Sequence, residues 1–373
     1  MRLIDRYLLR EFLFWLAVFF AAFLLIWVSF DLTARLHDLQ QNHLRGKDVL
    51  EYYFFRIPEF VPIAMPVSIL LAMLYTVTNH TRHNEITAIR AAGVSLVRLC
   101  MPYFVAGLFF SVLLFALNEY LAPQADDKAD EVLHRRVDPR SAQAKNLVKL
   151  DFINYAVEGK SGRSWDAPAY NTETFEMTKP KIAWSSTNGL HVVLSATTAN
   201  WTNNMWVLSG EVVETLGEAR IFKTNYLAMP EFQETPREIQ SDIKVNAFRN
   251  LSLTAKTHRA DIPLADIVNY LHFHPQPDRK MRNWLFTKLH GRFAGAFACL
   301  VCVIVAIPFS ARSGRRNIFV GVAASIFIFF TYFVLQQVGL TFGETGWLPP
   351  WLGAWFPNLF FGIGGIYLMS RVR

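Results

Sequence analysis

Six long stretches of this 373-residue chain contain no Asp, Glu, Lys, Arg or His. Soluble proteins carry about 25% charged residues, whereas this chain is 18% charged and 52% hydrophobic. An ordinary soluble protein is therefore excluded. Because the backbone finds no water inside a bilayer, roughly 20 apolar residues cross it as a helix. The sequence predicts six transmembrane helices, at Phe12–Phe30, Phe60–Thr78, Leu99–Leu117, Phe293–Phe309, Ile318–Thr341 and Trp351–Met369.

Cysteine is scarce, and all three cysteines lie within the predicted spans. The polar insert between the third and fourth spans has none, so its stability must come from a packed core and not from disulfides. Cys299 and Cys302 form a C-x-x-C pair, but no His or further Cys completes a metal site. His272 and His274 also lack a third ligand, and we expect them to form a surface pair. The sequence predicts no metal and no cofactor.

Motifs of catalysis and of nucleotide binding are absent as well. The chain has neither G-x-S-x-G nor H-E-x-x-H. Gly159-Lys160-Ser161 resembles the end of a phosphate-binding loop, but Asn154 stands where that loop needs glycine. We therefore expect no catalytic residue and no enzyme. The net charge of +7 does not indicate nucleic acid, because the cations lie mostly beside the spans.

Arginine clusters beside the spans set the predicted orientation in the membrane. Four segments carry these clusters, and the positive-inside rule places all four in the cytoplasm. Both termini are then cytoplasmic, and the insert, from Asn118 to about Trp284, lies on the other side. The clusters are Arg2, Arg6 and Arg10; Arg82, Arg90 and Arg98; Arg312, Arg315 and Arg316; and Arg371 with Arg373.

The insert has the pattern of β structure. Short runs rich in β-branched and aromatic residues recur about every ten residues, with polar turns between them, as in a sandwich or jelly roll. The predicted fold class is an α-helical polytopic membrane protein with six transmembrane helices and an inserted all-β jelly-roll domain. We divide it at 1–118, 119–285 and 286–373. The predicted strands are Leu147–Val157, Lys181–Trp184, Leu190–Leu194, Met205–Leu208, Glu211–Leu216, Ile221–Phe222 and Tyr226–Leu227.

The loop between the second and third spans predicts a short helix near residues 84–92. Asn84 can cap it, Glu85 favours its positive end and Gly93 can terminate it. Ile86 and Ile89 share one face, so this helix is amphipathic. Two interpretations stay open. The helix is either a capped connector or a coupling helix that inserts into a cytoplasmic partner, with Glu85 as its polar contact.

Several segments resemble a known family, the lipopolysaccharide export permeases LptF and LptG. They are residues 5–11 (DRYLLRE), 85–93 (EITAIRAAG) and 118–123 (NEYLAP). The segment 348–357 (LPPWLGAWFP) is more similar to LptG. The similarity covers essentially the whole chain, and that family has three spans, a periplasmic β-jellyroll insert and three more spans.

The resemblance implies one half of the membrane part of an ABC exporter in the bacterial inner membrane. Two such permeases pair, and two copies of an LptB-like ATPase bind beneath them in the cytoplasm. Lipopolysaccharide passes from the membrane to a bridge of periplasmic jelly-roll proteins, LptC-like or LptA-like. The first and fifth spans would border the lateral gates, through which lipopolysaccharide enters from the membrane. Residues expected to contact the ATPase are Glu85, Ile86, Ile89 and Arg90.

An apolar cavity between two permeases suits acyl chains, and cations at its outer rim suit phosphates. We therefore expect substrate contacts from Arg35, Arg56, Met65, Lys288 and Arg292. The alternative for the cations is that they only anchor the helices to lipid headgroups.

Two other function classes stay open. One is a secondary transporter or channel, which the charge-free spans and the lack of an evident inverted repeat disfavour. The other is a structural envelope protein whose β domain binds a partner. A stable complex with a cytoplasmic ATPase separates the exporter from both.

Overall fold

The structure is a computed structural model, and it forms two compact units. The membrane unit comprises Met1–Leu133, Arg259–Leu264 and Gln276–Arg373, and the β unit comprises His134–His258 and Ala265–Pro275. The β unit is thus inserted into the sequence of the membrane unit. The residues that the structure describes are 3–121, 125, 128–129, 131–133, 135, 147–154, 163–185, 191–216, 219–232, 234–254, 262–311 and 318–371.

Within the described residues, six helices are long and apolar enough to cross a membrane, which confirms the six predicted spans. A short helix, α3 (Glu85–Ala91), follows the second of them, and a π-helical turn at Leu117–Leu121 follows the third. The six long helices are α1 (Leu3–Gln41), α2 (Gly46–Arg82), α4 (Leu96–Ala116), α7 (Arg279–Ala311), α8 (Ile318–Thr345) and α9 (Pro350–Ser370).

Three of these helices, α1, α2 and α7, run well beyond the apolar windows that predicted them. α1 has 39 residues and α2 has 37, so at about 1.5 Å per residue each is roughly 55 Å long. A hydrocarbon core is only about 30 Å thick. The spans free of charge are therefore the middle parts of longer helices, and ionisable residues such as Arg35, Arg56 and Lys288 lie on the same helices outside them.

α1, α2, α4 and α7 share one hydrophobic core. On α1 the buried residues Leu8, Phe12 and Leu16 are four apart, so they lie on one face of the helix. Ile69 of α2 and Val303 of α7 are fully buried in the same core. This packing joins the first three spans to the fourth.

α8 and α9 approach each other through glycine. A Cβ added to Gly353 would lie 2.5 Å from the carbonyl oxygen of Gly339, so the two backbones are in direct contact. Side chains do not separate these helices here. Small residues at membrane helix interfaces permit this close approach.

The β unit is an antiparallel sheet that closes on itself. Its strands pair in the ring β2–β3–β6–β7–β5–β4, and β4 pairs again with β2. β1 and β8 each pair with one strand of this ring, β2 and β7 respectively. The strands are β1 (Leu147–Asn154), β2 (Arg163–Asn171), β3 (Met177–Thr178), β4 (Lys181–Ser185), β5 (His191–Ser195), β6 (Thr198–Thr202), β7 (Met205–Leu216) and β8 (Ala219–Met229).

The inserted all-β region is confirmed, but three of its strands were missed. β2, β3 and β6 had not been predicted, and β7 and β8 are continuous strands where the sequence had suggested two runs each. β2 reads RSWDAPAYN, and its Asp and Pro interrupt the apolar pattern. Its buried side chains still alternate, because Trp165 and Ala167 point inward on either side of the exposed Asp166.

Aromatic side chains fill the interior of the ring. Trp165, Tyr170 and Trp206 are fully buried there, and Trp206 donates from Nε1 to the carbonyl oxygen of Glu234 at 2.7 Å. Nε of Arg163 donates to Oε1 of Glu234 at 2.7 Å, which fastens the segment after β8 to β2. Burial also raises the pKa of the Tyr170 hydroxyl.

The described part of the β unit also contains the helix α5 (Pro236–Thr254) and all but the first residue of α6 (Leu264–Phe273). Ile239 of α5 is buried in the aromatic core. His274, just after α6, stacks on Tyr270 with ring centroids 4.4 Å apart. Only 10% of its side chain is exposed, so the prediction of a surface histidine pair is wrong for His274.

Candidate functional site

A cavity of about 160 Å³ lies within the membrane unit, between α2, the end of α4, α7 and α8. α7 and α8 run antiparallel along it, because Gly291 faces Leu340 and Gly295 faces Gln336. The walls are mostly apolar, and the polar groups come mainly from one part of α7 and the middle of α8. These polar residues are Lys288, Arg292, Gln336, Gln337 and Asn118.

Arg292 is the more buried of the two predicted cations in the cavity. Only 2% of its side chain is exposed, and Nη1 forms an ion pair with Oε2 of Glu119, in the π-helical turn. Oε1 of Glu119 accepts a 2.8 Å hydrogen bond from the backbone N–H of Leu264, which belongs to the same unit. Glu119 therefore ties α7 to the end of α4 through a buried charge pair.

Lys288 lies one helical turn before Arg292 and on the same face of α7. Its Nζ is 3.1 Å from Oε1 of Glu344 on α8, and 18% of its side chain is exposed. The structure thus brings these two predicted cations together at one end of the cavity. Lys288 is the one with access to a ligand.

Arg35 and Arg56 do not line this cavity; Arg35 takes part in polar contacts between α1 and α2, whereas Arg56 contacts residues of its own helix. Nε of Arg35 donates to Asp31 at 3.1 Å, and Asp31 accepts from the hydroxyl of Tyr53 at 3.1 Å. Arg56 donates to the hydroxyl of the neighbouring Tyr52 and to Glu59. Met65, the remaining candidate, packs against the hydrophobic core of the membrane unit. The five candidates thus do not form one site within a single chain.

The other predicted site is α3. Glu85 occupies its first position, and 39% of its side chain is exposed. Its Oε2 accepts hydrogen bonds from His80 Nδ1 at 2.8 Å and from the hydroxyl of Tyr7 at 3.3 Å. The carboxylate of Glu85 is therefore held from two sides and still reaches solvent.

The remaining residues of α3 divide by exposure. Ile86 is buried, Ile89 packs partly buried against the same core, and Arg90 is exposed. Asn84 precedes the helix with a left-handed backbone, φ 60°, and its side chain forms no capping hydrogen bond. The predicted cap is wrong in this respect, because a capping side chain acts from an extended backbone. The helix ends before Gly93, whose φ is +90°.

Comparison with known proteins identifies the family. A family model described as lipopolysaccharide export system permease LptF/LptG matches residues 6–371, nearly the whole chain. The chain belongs to this family. Among curated proteins, no sequence matches this one. The family match does not distinguish LptF from LptG, so the closer similarity to LptG stays a prediction.

The permease is therefore a multi-pass membrane protein of lipopolysaccharide export. Sequence reasoning missed the partners of its charged side chains, which are His80 for Glu85, Glu119 for Arg292 and Glu344 for Lys288. A signal was present for each, because all three partners follow directly on an apolar stretch, where an ionisable side chain needs a partner.

Proposed function

We propose that this chain is a non-catalytic permease subunit of an ABC exporter. It takes lipopolysaccharide from the bacterial inner membrane and passes it to a periplasmic β-jellyroll bridge. The observation that carries this proposal is the cavity, whose walls are apolar and which has Lys288 and Arg292 at one end. Apolar walls suit acyl chains, and a lysine with partial access to solvent suits a phosphate.

The cavity is too small to hold the substrate alone. Its 160 Å³ corresponds to roughly five water molecules, far less than a glycolipid with several acyl chains. α1 and α8 also bury only 11% and 17% of their apolar windows within the chain. Both observations support pairing with a second permease of the family, so that exposed faces of α1 and α8 enclose a larger space.

The proposed orientation follows from the arginine clusters, with both termini and α3 in the cytoplasm and the β unit in the periplasm. Two copies of an ABC ATPase would bind beneath the pair of permeases, and α3 of this chain would contact one of them. Glu85 and Arg90 would supply polar contacts, while Ile86 and Ile89 hold the helix on the core. The β unit would bind a periplasmic jelly-roll protein, because among the described strands β1 and β8 each pair on one side only and leave an outer edge for another strand.

The first test is co-expression of the chain with the partner permease and the ATPase, followed by purification and measurement of ATP hydrolysis. We expect a stable complex in which lipopolysaccharide raises hydrolysis above its basal rate. Glu85→Ala should weaken ATPase binding or stimulation, whereas Thr87→Ala, on the exposed side of the same helix, should not. A chain that forms no complex with the ATPase would contradict the proposal and favour a secondary transporter or a structural protein.

The second test concerns the cavity. Lys288→Gln should lower hydrolysis stimulated by lipopolysaccharide more than basal hydrolysis, because a charge-assisted contact contributes about 1.5–3 kcal/mol. Lys280→Gln is the matched control, since Lys280 is exposed and lies two turns earlier on the same helix. Arg292 is unsuitable for this test because removing it leaves Glu119 buried without its charge partner. Equal stimulation in both lysine variants at several substrate concentrations would leave Lys288 as a membrane anchor.

A further inference from the structure

His80 is a buried ionisable residue that the proposed function does not yet use. It lies near the end of α2, and only 1% of its side chain is exposed. Nδ1 donates to Oε2 of Glu85 on α3 at 2.8 Å, and Nε2 lies 3.3 Å from Oε2 of Glu11 on α1, at ion-pair distance but not in hydrogen-bonding geometry. The two nitrogens of one imidazole thus face carboxylates from two other helices.

The surrounding contacts hold both carboxylates in place. Nδ2 of Asn79, the residue before His80, donates to Oε1 of Glu11 at 3.1 Å. The hydroxyl of Tyr7 donates to Glu85 at 3.3 Å, and the ring of Tyr7 lies 5.5 Å from that of His80. α1 therefore supplies Tyr7 and Glu11 to this cluster, α2 supplies Asn79 and His80, and α3 supplies Glu85.

The chemistry of imidazole explains why histidine suits this position. A neutral imidazole has one N–H donor and one acceptor, whereas the protonated ring has two N–H donors. Because its two nitrogens lie on different sides of one ring, His80 can hold Glu85 through Nδ1 while Nε2 faces Glu11. A neutral aromatic ring of similar size would fill the space, but it would leave two negative charges facing it.

We infer that His80 is a positioning residue that joins Glu85 to Glu11, so that movement of α3 is passed directly to the first span. This inference rests on the proposed function, in which α3 contacts the ATPase. Ile86 and Ile89 also connect α3 to the core, but apolar contacts resist compression and are easily parted or slid. A polar bridge between two helices also resists separation, so it transmits a pull on α3 as well as a push.

The test measures hydrolysis in the purified complex of both permeases and the ATPase, with and without lipopolysaccharide. His80→Phe keeps a ring and removes both ring nitrogens. We expect the ATPase to co-purify as with the wild type, because Glu85 and the apolar face of α3 remain. The ratio of stimulated to basal hydrolysis should fall about tenfold, within the usual range of allosteric coupling. His83→Phe is the control, since His83 is exposed in the same loop, and it should not change the ratio.

Paired amide variants separate the bridge from simple packing. In His80→Gln, the NH2 group can face Glu85 while the carbonyl oxygen, an acceptor, faces the Glu11 carboxylate, so the ratio should fall. Adding Glu11→Gln lets the new amide at 80 accept from Gln at 11 while donating to Glu85. This double variant should recover the ratio to within about threefold of wild type. His80→Phe with Glu11→Gln removes the same charge but restores no bridge, and it should stay impaired.

The outcomes distinguish this inference from the proposed function. If the wild-type complex shows no stimulation by lipopolysaccharide, the proposed function fails and the inference fails with it. If the wild type is stimulated, Glu85→Ala is impaired and His80→Phe stays within about twofold of wild type, the inference alone is wrong. If the complex with His80→Phe does not assemble, His80→Gln is compared with the double variant His80→Gln with Glu11→Gln. Equal ratios of stimulated to basal hydrolysis in those two variants would contradict the bridge between Glu85 and Glu11.

Discussion

Tyr332 of α8 donates a 2.7 Å hydrogen bond from its hydroxyl to Oδ1 of Asn358 on α9. Both side chains are buried, and Nδ2 of Asn358 donates in turn to the carbonyl oxygen of Ala294 on α7 at 2.7 Å. One amide therefore joins the last three helices. Inside a membrane no water can replace such a bond. Directional hydrogen bonds therefore hold these helices together in addition to side-chain packing.

Replacing this amide should destabilise the membrane unit. Asn358→Leu leaves the Tyr332 hydroxyl buried without its acceptor, at a cost of about 1–3 kcal/mol. Thermal unfolding of the purified protein in detergent measures the loss. Tyr332→Phe and the double variant complete a cycle, and because the two groups are partners the double variant should cost less than the sum. Strict additivity would show that the two side chains are not coupled.

The contact between α8 and α9 predicts different effects for two glycines on the same helix. Gly353→Ala places a methyl group 2.5 Å from the Gly339 carbonyl oxygen and should destabilise the protein by about 1–3 kcal/mol through forced separation of the helices. Nothing lies within 4 Å of a Cβ added at Gly362, so Gly362→Ala should be neutral or stabilise by up to about 1 kcal/mol. Thermal unfolding of both variants under one condition is the measurement, and equal effects would contradict the close contact.

The buried pair of Arg292 and Glu119 should be costly to break from one side. Arg292→Met leaves the Glu119 carboxylate without its charge partner and should cost about 3–5 kcal/mol, much of which Arg292→Met with Glu119→Gln recovers. Lys244 and Asp266 in the β unit form a comparison pair, 3.5 Å apart with 59% of the lysine side chain exposed. Lys244→Met should cost less than about 1 kcal/mol. A similar loss of thermal stability at both sites would mean that burial does not matter for Arg292.

Stability should depend on pH through His274. Burial lowers the pKa of its imidazole, so the folded state stays neutral where the unfolded state takes up a proton. His274 therefore does not reduce the free energy of unfolding above about pH 6.5, and it reduces it progressively as the pH falls below that value. Burial raises the pKa of the nearby Glu238 carboxyl. The folded state then takes up this proton at a higher pH than the unfolded state, so Glu238 increases the free energy of unfolding as the pH falls toward the ordinary pKa of a glutamate. Wild-type thermal stability should drop on acidification from neutral pH, and His274→Gln should drop less.

The six spans were predictable because each needs only an uninterrupted apolar run, and such a run is visible in the sequence. The ends of the longest helices were not predictable. α2 continues past Arg56 because that side chain donates to Tyr52 and Glu59 within the same helix. α7 includes Lys288, whose partner Glu344 lies on another helix. The pair of Lys288 and Glu344 depends on packing, so the apolar window gives only the middle of α7, whereas for α9 it gives nearly the whole helix.

The candidate residues were found one at a time, but their arrangement was not. Glu85, Lys288 and Arg292 stand out because each is charged and lies beside an apolar stretch. Arg292 and Glu119 are 173 residues apart, and no local pattern links them. The same holds for Glu11 and His80, which belong to different helices. The missed strand β2 has a similar cause, since its inward-facing residues are recognised only once its neighbours are known.

The strands that close the ring of the β unit pair through different numbers of positions. β3 has only two residues, and it pairs through two positions with β2 and two with β6. On the opposite side, β4 joins β2 through four positions and β5 through five. Trp165 and Trp206 occupy the interior, so an acyl chain could enter only if the ring opened. Among the described pairings, opening at β3 would break the fewest backbone bonds. This short strand is therefore where we expect the ring to open locally while the other strands stay paired.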